Sequence, residues 1–221
     1  MFIGHFALGF AAKRALPKRN LALLMVAPLL LDMIFPPLVL LGIERMHLEP
    51  GNTAIFPAVL DHIVWSHSVV MTVLWSALYA AFVFALTRDK RAALICAALV
   101  ASHWVLDFVT HRPDMPLAPG VETKLGLGLW HSLPGTLVVE LPIWAASLWL
   151  YYSSTVAKDR IGKVAPAVFI VLLTGSYFGS IFGPPPPSAE AFAAAGIGAM
   201  LLIPFIAWFD SHRMPKDVAS R

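Results

Sequence analysis

Six runs of roughly 20 predominantly apolar residues, at about 20–43, 67–87, 92–111, 136–155, 164–183 and 190–209, decide what this chain can become. At 1.5 Å per residue, each run is long enough to cross a hydrocarbon layer about 30 Å thick. A further run, 2–16, is shorter. The charge content agrees: only 13% of the 221 residues are charged, about half the share usual in soluble domains. No polar stretch is long enough for a separate soluble domain. The expected fold is therefore all-α: one polytopic transmembrane helical bundle over residues 1–221, with about seven membrane segments, six full spans plus a short N-terminal helix.

The net charge of +3 does not point to nucleic acid, because Lys and Arg fall in short clusters between apolar runs and no nucleic-acid motif accompanies them. Residues 13–19 carry four Lys/Arg, and 88–91, 158–163 and 213–221 carry three each. The intervening loops carry fewer: Arg45 alone in 44–66, Arg112 and Lys124 in 112–135, none in 184–189. The alternation predicts a cytoplasmic C-terminus and an outer N-terminus, since cytoplasmic loops are enriched in Lys and Arg. The apolar stretch Phe2 to Ala12 precedes its charges, the reverse of a signal peptide. No small-residue cleavage site follows it, so it is expected to be retained. Cys96 is the only cysteine and reads as a small core residue.

Ionisable residues inside membrane helices are costly and mark function by default. Counting from the basic anchors, His5 lies about 12 Å above Lys13, and Asp32 about 20 Å above Arg19. His103 and Asp107 lie about 18 and 24 Å above Arg91, and His67 about 30 Å above Arg88. Four segments thus bring metal-type ligands to the outer half of the membrane. His103 and Asp107 stand at i and i+4 and share a helix face, which His111 continues. Imidazole plus carboxylate suits Zn²⁺, Mn²⁺ or Fe²⁺. An open position on such an ion activates water for hydrolysis. His62 and His67 flank the outer mouth, with His62 a candidate proton donor, base or extra ligand. Arg112, just past Asp107, is a candidate phosphate partner. His131, beside Trp130, is expected in a loop dipping toward the site, and Glu140 reads as a supporting acid or a partner for His131. His47 and His212 read as surface residues. Each residue also has a bland reading: a lone histidine bonds a neighbouring carbonyl, and His62 and His111 are simply solvated.

The ordered pieces Gly4-His5-Phe6-Ala7-Leu8-Gly9, Leu30-Leu31-Asp32, His62 with Ser66-His67-Ser68, and His103-Trp104-Val105-Leu106-Asp107-Phe108-Val109-Thr110 resemble the membrane-bound metal-dependent hydrolase family. Its members are bacterial inner-membrane proteins distantly like zinc-dependent phospholipase C. The resemblance covers roughly residues 1–120. It departs where the family often carries a second acid and a preceding proline, here Ile34 and Leu31. The resemblance implies a membrane hydrolase in the bacterial inner membrane. His5, Asp32, His67, His103 and Asp107 would then be metal-site groups, with Asp32 and His62 the catalytic candidates. The site's depth suits a lipid-type ester or phosphodiester, with membrane lipids as surroundings and substrate source. Three other readings stay open: a transporter or proton relay using the same His/Asp cluster, a bis-His haem protein, and a non-catalytic membrane protein.

Overall fold

In a computed structural model, residues 1–219 are described. The helices are α1 (Phe2–Ala15), α2 (Leu21–Leu40), α3 (Val64–His67), α4 (Val69–Thr87), α5 (Lys90–Thr110), α6 (Leu133–Ser154), α7 (Arg160–Phe182), α8 (Ala189–Ala199), α9 (Leu202–Ser211) and α10 (Lys216–Ala219). Among the described residues, six helices are long and apolar enough to cross a membrane: α2, α4, α5, α6, α7 and the segment Ala189–Ser211. The chain is an all-α membrane bundle, as expected. Arg221, one of the basic residues used to place the C-terminal tail, lies outside the described residues.

Helix starts are set by side-chain caps, which satisfy N–H groups left free in the first turn. Asn20, Ser68, Asp89, Ser132, Asp159 and Ser188 each accept a hydrogen bond from an N–H two or three residues on. Two spans therefore begin earlier than hydropathy suggests, at Leu133 and Arg160. The expected span 190–209 is two helices, α8 and α9, divided at Met200–Leu201.

The helices are inside-out relative to a soluble fold. Along α4 the buried residues are Thr72, Ser76, Tyr79 and Val83, while Val70, Val73, Leu74, Leu78, Phe82 and Leu86 face outward. Along α6, Thr136, Glu140, Trp144, Ser147, Tyr151 and Ser154 turn inward. An apolar exterior leaves little hydrophobic force between helices, so close approach and interhelical hydrogen bonds hold the bundle. A Cβ on Gly9 would lie 3.1 Å from Met25 Cα, so the missing side chain lets α1 close on α2. Tyr79 donates to the Leu23 carbonyl at 2.7 Å, and Trp144 Nε1 donates to Thr174 Oγ1 at 3.1 Å.

The short helix α1 runs through the middle, packed by α2, α5, α6 and α7. Its residues Ile3 to Ala7, Gly9, Phe10, Ala12 and Lys13 are all buried. Loops gather by end. Arg19 reaches Asp89 (2.7 Å), Lys13 reaches Asp210 (2.6 Å), and the strands β5 (Thr155–Ala157) and β6 (Arg213–Pro215) pair. The basic loops thus share one end, as the charge alternation requires. At the other end are two antiparallel ribbons. The first pairs β1 (Arg45–Leu48) with β2 (Ala58–His62); the second pairs β3 (Met115–Pro116) with β4 (Lys124–Leu125). A 3₁₀ turn, Leu129–His131, leads into α6.

Candidate metal centre

All five expected metal-site residues converge near the ribbon end. His5 comes from α1, Asp32 from α2, His67 from the last position of α3, and His103 and Asp107 from successive turns of α5. Asp107 Oδ1 lies 3.0 Å from His5 Nε2, and Asp107 Oδ2 lies 3.0 Å from His103 Nε2. His103 Nε2 lies 3.3 Å from His67 Nε2 and 3.7 Å from Asp32 Oδ1, and His67 Nε2 lies 3.5 Å from Asp32 Oδ1. Two overlapping triads result, His5–His103–Asp107 and Asp32–His67–His103, each with ligand atoms within 4.8 Å of one another. The Met1 nitrogen also lies against Asp107 Oδ1 and 3.1 Å from His5 Nε2.

The donor set fits a borderline divalent ion. Ligands at about 2.0–2.2 Å from an ion stand roughly 3–4 Å apart, as these atoms do. Ring orientation fits as well. His103 Nδ1 is 2.7 Å from the Pro28 carbonyl, which can only accept, so Nδ1–H donates there and the Nε2 lone pair faces the cluster. Ser66 Oγ donates to Glu44 Oε2 at 2.5 Å and is 2.6 Å from His67 Nδ1. With its proton committed to Glu44, Ser66 accepts from His67 Nδ1–H, and His67 also turns Nε2 inward. Outer partners of this kind fix the orientation of ligating histidines. The buried Glu44 carboxylate further accepts from the Trp65 and Ser66 N–H groups, both at 2.8 Å. Local structure aims His67: the chain breaks after it, where extended Ser68 starts α4.

One side of the cluster is open. The side chains of His5, His67, His103 and Asp107 are at most 5% exposed, whereas Asp32 is 49% exposed. The Asp32 carboxylate borders a cavity of about 360 Å³. Most of the cavity wall is apolar, including Phe6, Met33, Phe35, Phe56, Phe192 and Ile203. Behind the cluster, Leu24, Ala27, Leu31, Val83, Cys96 and Val100 form a buried apolar layer.

Other expectations fare differently. His62 is half-buried at the end of β2, opposite Arg45, and lies outside the cavity wall. The residues between His62 and His67 are spent on leaving the strand and forming α3, so the two histidines share no helix face. Arg112 is engaged by protein: it donates to Asn52 Oδ1 at 2.6 Å and lies 3.5 Å from Asp114 Oδ2. His131 is exposed, while its neighbour Trp130 turns into the cavity wall. His111 lies 4.0 Å from Asp107 Oδ1 and 3.1 Å from Asp114 Oδ1. Sequence reading missed Glu44 and Asp114. Asp114 follows His111 by three residues, a spacing that could have flagged it; nothing local marks Glu44. Of the three histidines that could have flanked a haem, His5 and His103 stack in parallel with 3.8 Å between centroids and leave no gap for one between them. No protein-family model, curated protein or solved structure matches this chain.

Proposed function

We propose that this protein is a metal-dependent hydrolase of the membrane-bound family it resembles, acting on a lipid-type ester or phosphodiester. The observation carrying this reading is the two ligand triads sharing His103, open through Asp32 onto an apolar cavity. His5, Asp32, His67, His103 and Asp107 would hold the ion, with Zn²⁺ favoured over Mn²⁺ or Fe²⁺ by the nitrogen-rich set. A divalent ion in such a site supplies Lewis acidity and a water that ionises near neutrality. The chain's residues do the rest. Pro28 and the Glu44–Ser66 pair keep His103 and His67 in the ligating tautomer, and the cavity wall shields an acyl chain from water. Asp32, the accessible carboxylate, is placed to orient a water or take its proton. Basic loops facing the cytoplasm would put the site toward the outer leaflet of a bacterial inner membrane, with the N-terminus outside and the C-terminus inside. A transport or proton-relay role draws less support, because the buried layer behind the cluster is apolar apart from the Cys96 thiol and the Tyr79 hydroxyl, which donates to the Leu23 carbonyl.

The test is elemental analysis of protein purified without chelators, followed by incubation with a panel of phospholipids and neutral glycerides. Stoichiometric zinc, manganese or iron and metal-dependent release of a lipid product are expected. Absence of bound metal, or equal lipid turnover with and without it, would overturn the reading.

A further inference from the structure

The cavity has a second polar region beside the five ligands, within electrostatic reach of Asp107 and the Met1 ammonium. Glu140 of α6, Tyr177 of α7 and Trp130 of the 3₁₀ turn all line it. They are 0%, 1% and 7% exposed. Neither Glu140 oxygen, nor the Tyr177 hydroxyl, nor Trp130 Nε1 has a hydrogen-bond partner. The Trp130 indole and the Gly4 N–H approach the Glu140 carboxyl, but neither closes to hydrogen-bond geometry. An unmet buried polar group costs about 1–3 kcal/mol. Three such groups, from three elements, border one small cavity. Their grouping points to something in the cavity that completes them.

Their chemistry says what. A carboxylate accepts only, an indole N–H donates only, and a phenol does both. A hydroxyl placed between Trp130 and Glu140 accepts from the one and donates to the other, and a second hydroxyl or Tyr177 extends the chain. An ammonium has no lone pair for the Trp130 N–H, and it would have to share Glu140 with the Met1 ammonium already within electrostatic reach of it. We propose that Glu140, Trp130 and Tyr177 form a recognition site for the hydroxyl-bearing head group of a lipid, of the glycerol or sugar type, while its ester or phosphodiester lies at the His/Asp cluster. This rests on the hydrolase reading for the placement of the ester, but the head-group preference can be measured as binding alone.

The experiment is native mass spectrometry of the purified, delipidated full chain with equimolar phosphatidylglycerol and phosphatidylethanolamine of matched acyl chains. The phosphatidylglycerol adduct should dominate by about tenfold, the equivalent of one net hydrogen bond. Glu140→Leu and Trp130→Phe should bring the ratio close to one, and Glu140→Gln, which can still accept and donate, should keep part of it. His103→Ala should lower retention of both lipids and leave their ratio intact. Melting the delipidated variants provides the folding control: Glu140→Leu should melt higher than the parent, whereas loss of a structural bond would lower it. A ratio near one in the parent, an unchanged ratio in Glu140→Leu, a preference for phosphatidylethanolamine, or no lipid retained would each overturn the proposal; the last would leave ordered water as the only occupant. Selective binding without hydrolysis would sink the hydrolase reading and keep this one. Hydrolysis indifferent to the head group would do the reverse.

Discussion

At one end of α1, Lys13 donates to the Arg19 carbonyl and to Asp210 Oδ2, each at 2.6 Å, and Asp210 Oδ2 also accepts from the Leu21 N–H at 2.8 Å. At the other end, His5 joins two carboxylates and two further imidazoles whose lone pairs all point inward. Both sets are buried, Asp32 apart, and both would look alike in a sequence as costly polar residues. The Lys13 set pairs one cation with one anion and with main-chain groups, leaving only Asp210 Oδ1 without a partner, so it fastens the helix ends. The His5 set has the Met1 ammonium as its one fixed cation, yet it gathers two carboxylates and three imidazole nitrogens around a point between its atoms, and one member faces a cavity. Burial alone therefore does not mark function; an excess of inward lone pairs does.

Four measurements would break or sharpen that contrast. The largest effect should come from Lys13→Met, which leaves Asp210 buried without its cation and should cost about 3–5 kcal/mol in unfolding experiments while sparing metal content. His103→Ala should lower metal affinity by at least about 100-fold, or ~2.7 kcal/mol, by removing the atom common to both triads. The metal-free variant should melt close to the metal-free parent. If it lost as much stability as Lys13→Met, the cluster would be a fastening too. Ser66→Ala removes the acceptor for His67 Nδ1–H and should weaken metal binding about tenfold, read by competition with a chromogenic chelator. The smallest effect concerns Asp89, whose carboxyl the Arg19 guanidinium holds below the usual carboxylate range, helped by the Ala92 N–H. A lowered folded-state pKa adds stability that is complete above the unfolded value of about 4 and lost as pH falls through the folded one. Asp89→Asn should therefore lower the melting temperature slightly at pH 7, flatten the acid limb of its profile, and meet the parent's curve once Asp89 is protonated.

Much of the centre was legible because membrane helices make depth countable. Basic anchors fix the level of Asp32, His103 and Asp107, and the i, i+4 spacing fixes the face of the last two. The rest depends on connections that carry no such ruler. Glu44 meets Ser66 across 22 residues, and the ribbon between them brings them together, not any periodicity. Glu140 was visible as an acid in an apolar run, yet its expected partner His131 points outward. A three-residue 3₁₀ turn decides which of Trp130 and His131 enters the cavity, and nothing in the tripeptide announces the choice. The split of the last span at Met200–Leu201 was equally silent, because hydropathy runs through it without a dip.

The Glu44 contact carries one more implication. That carboxylate immediately precedes β1, grips the start of α3 through two N–H groups, and steers the His67 ring through Ser66. The extramembrane hairpin and the orientation of a ligating imidazole are thus a single mechanical linkage. Anything that tugs the ribbon swings the ring, so the loop outside the bilayer is part of the machinery within it.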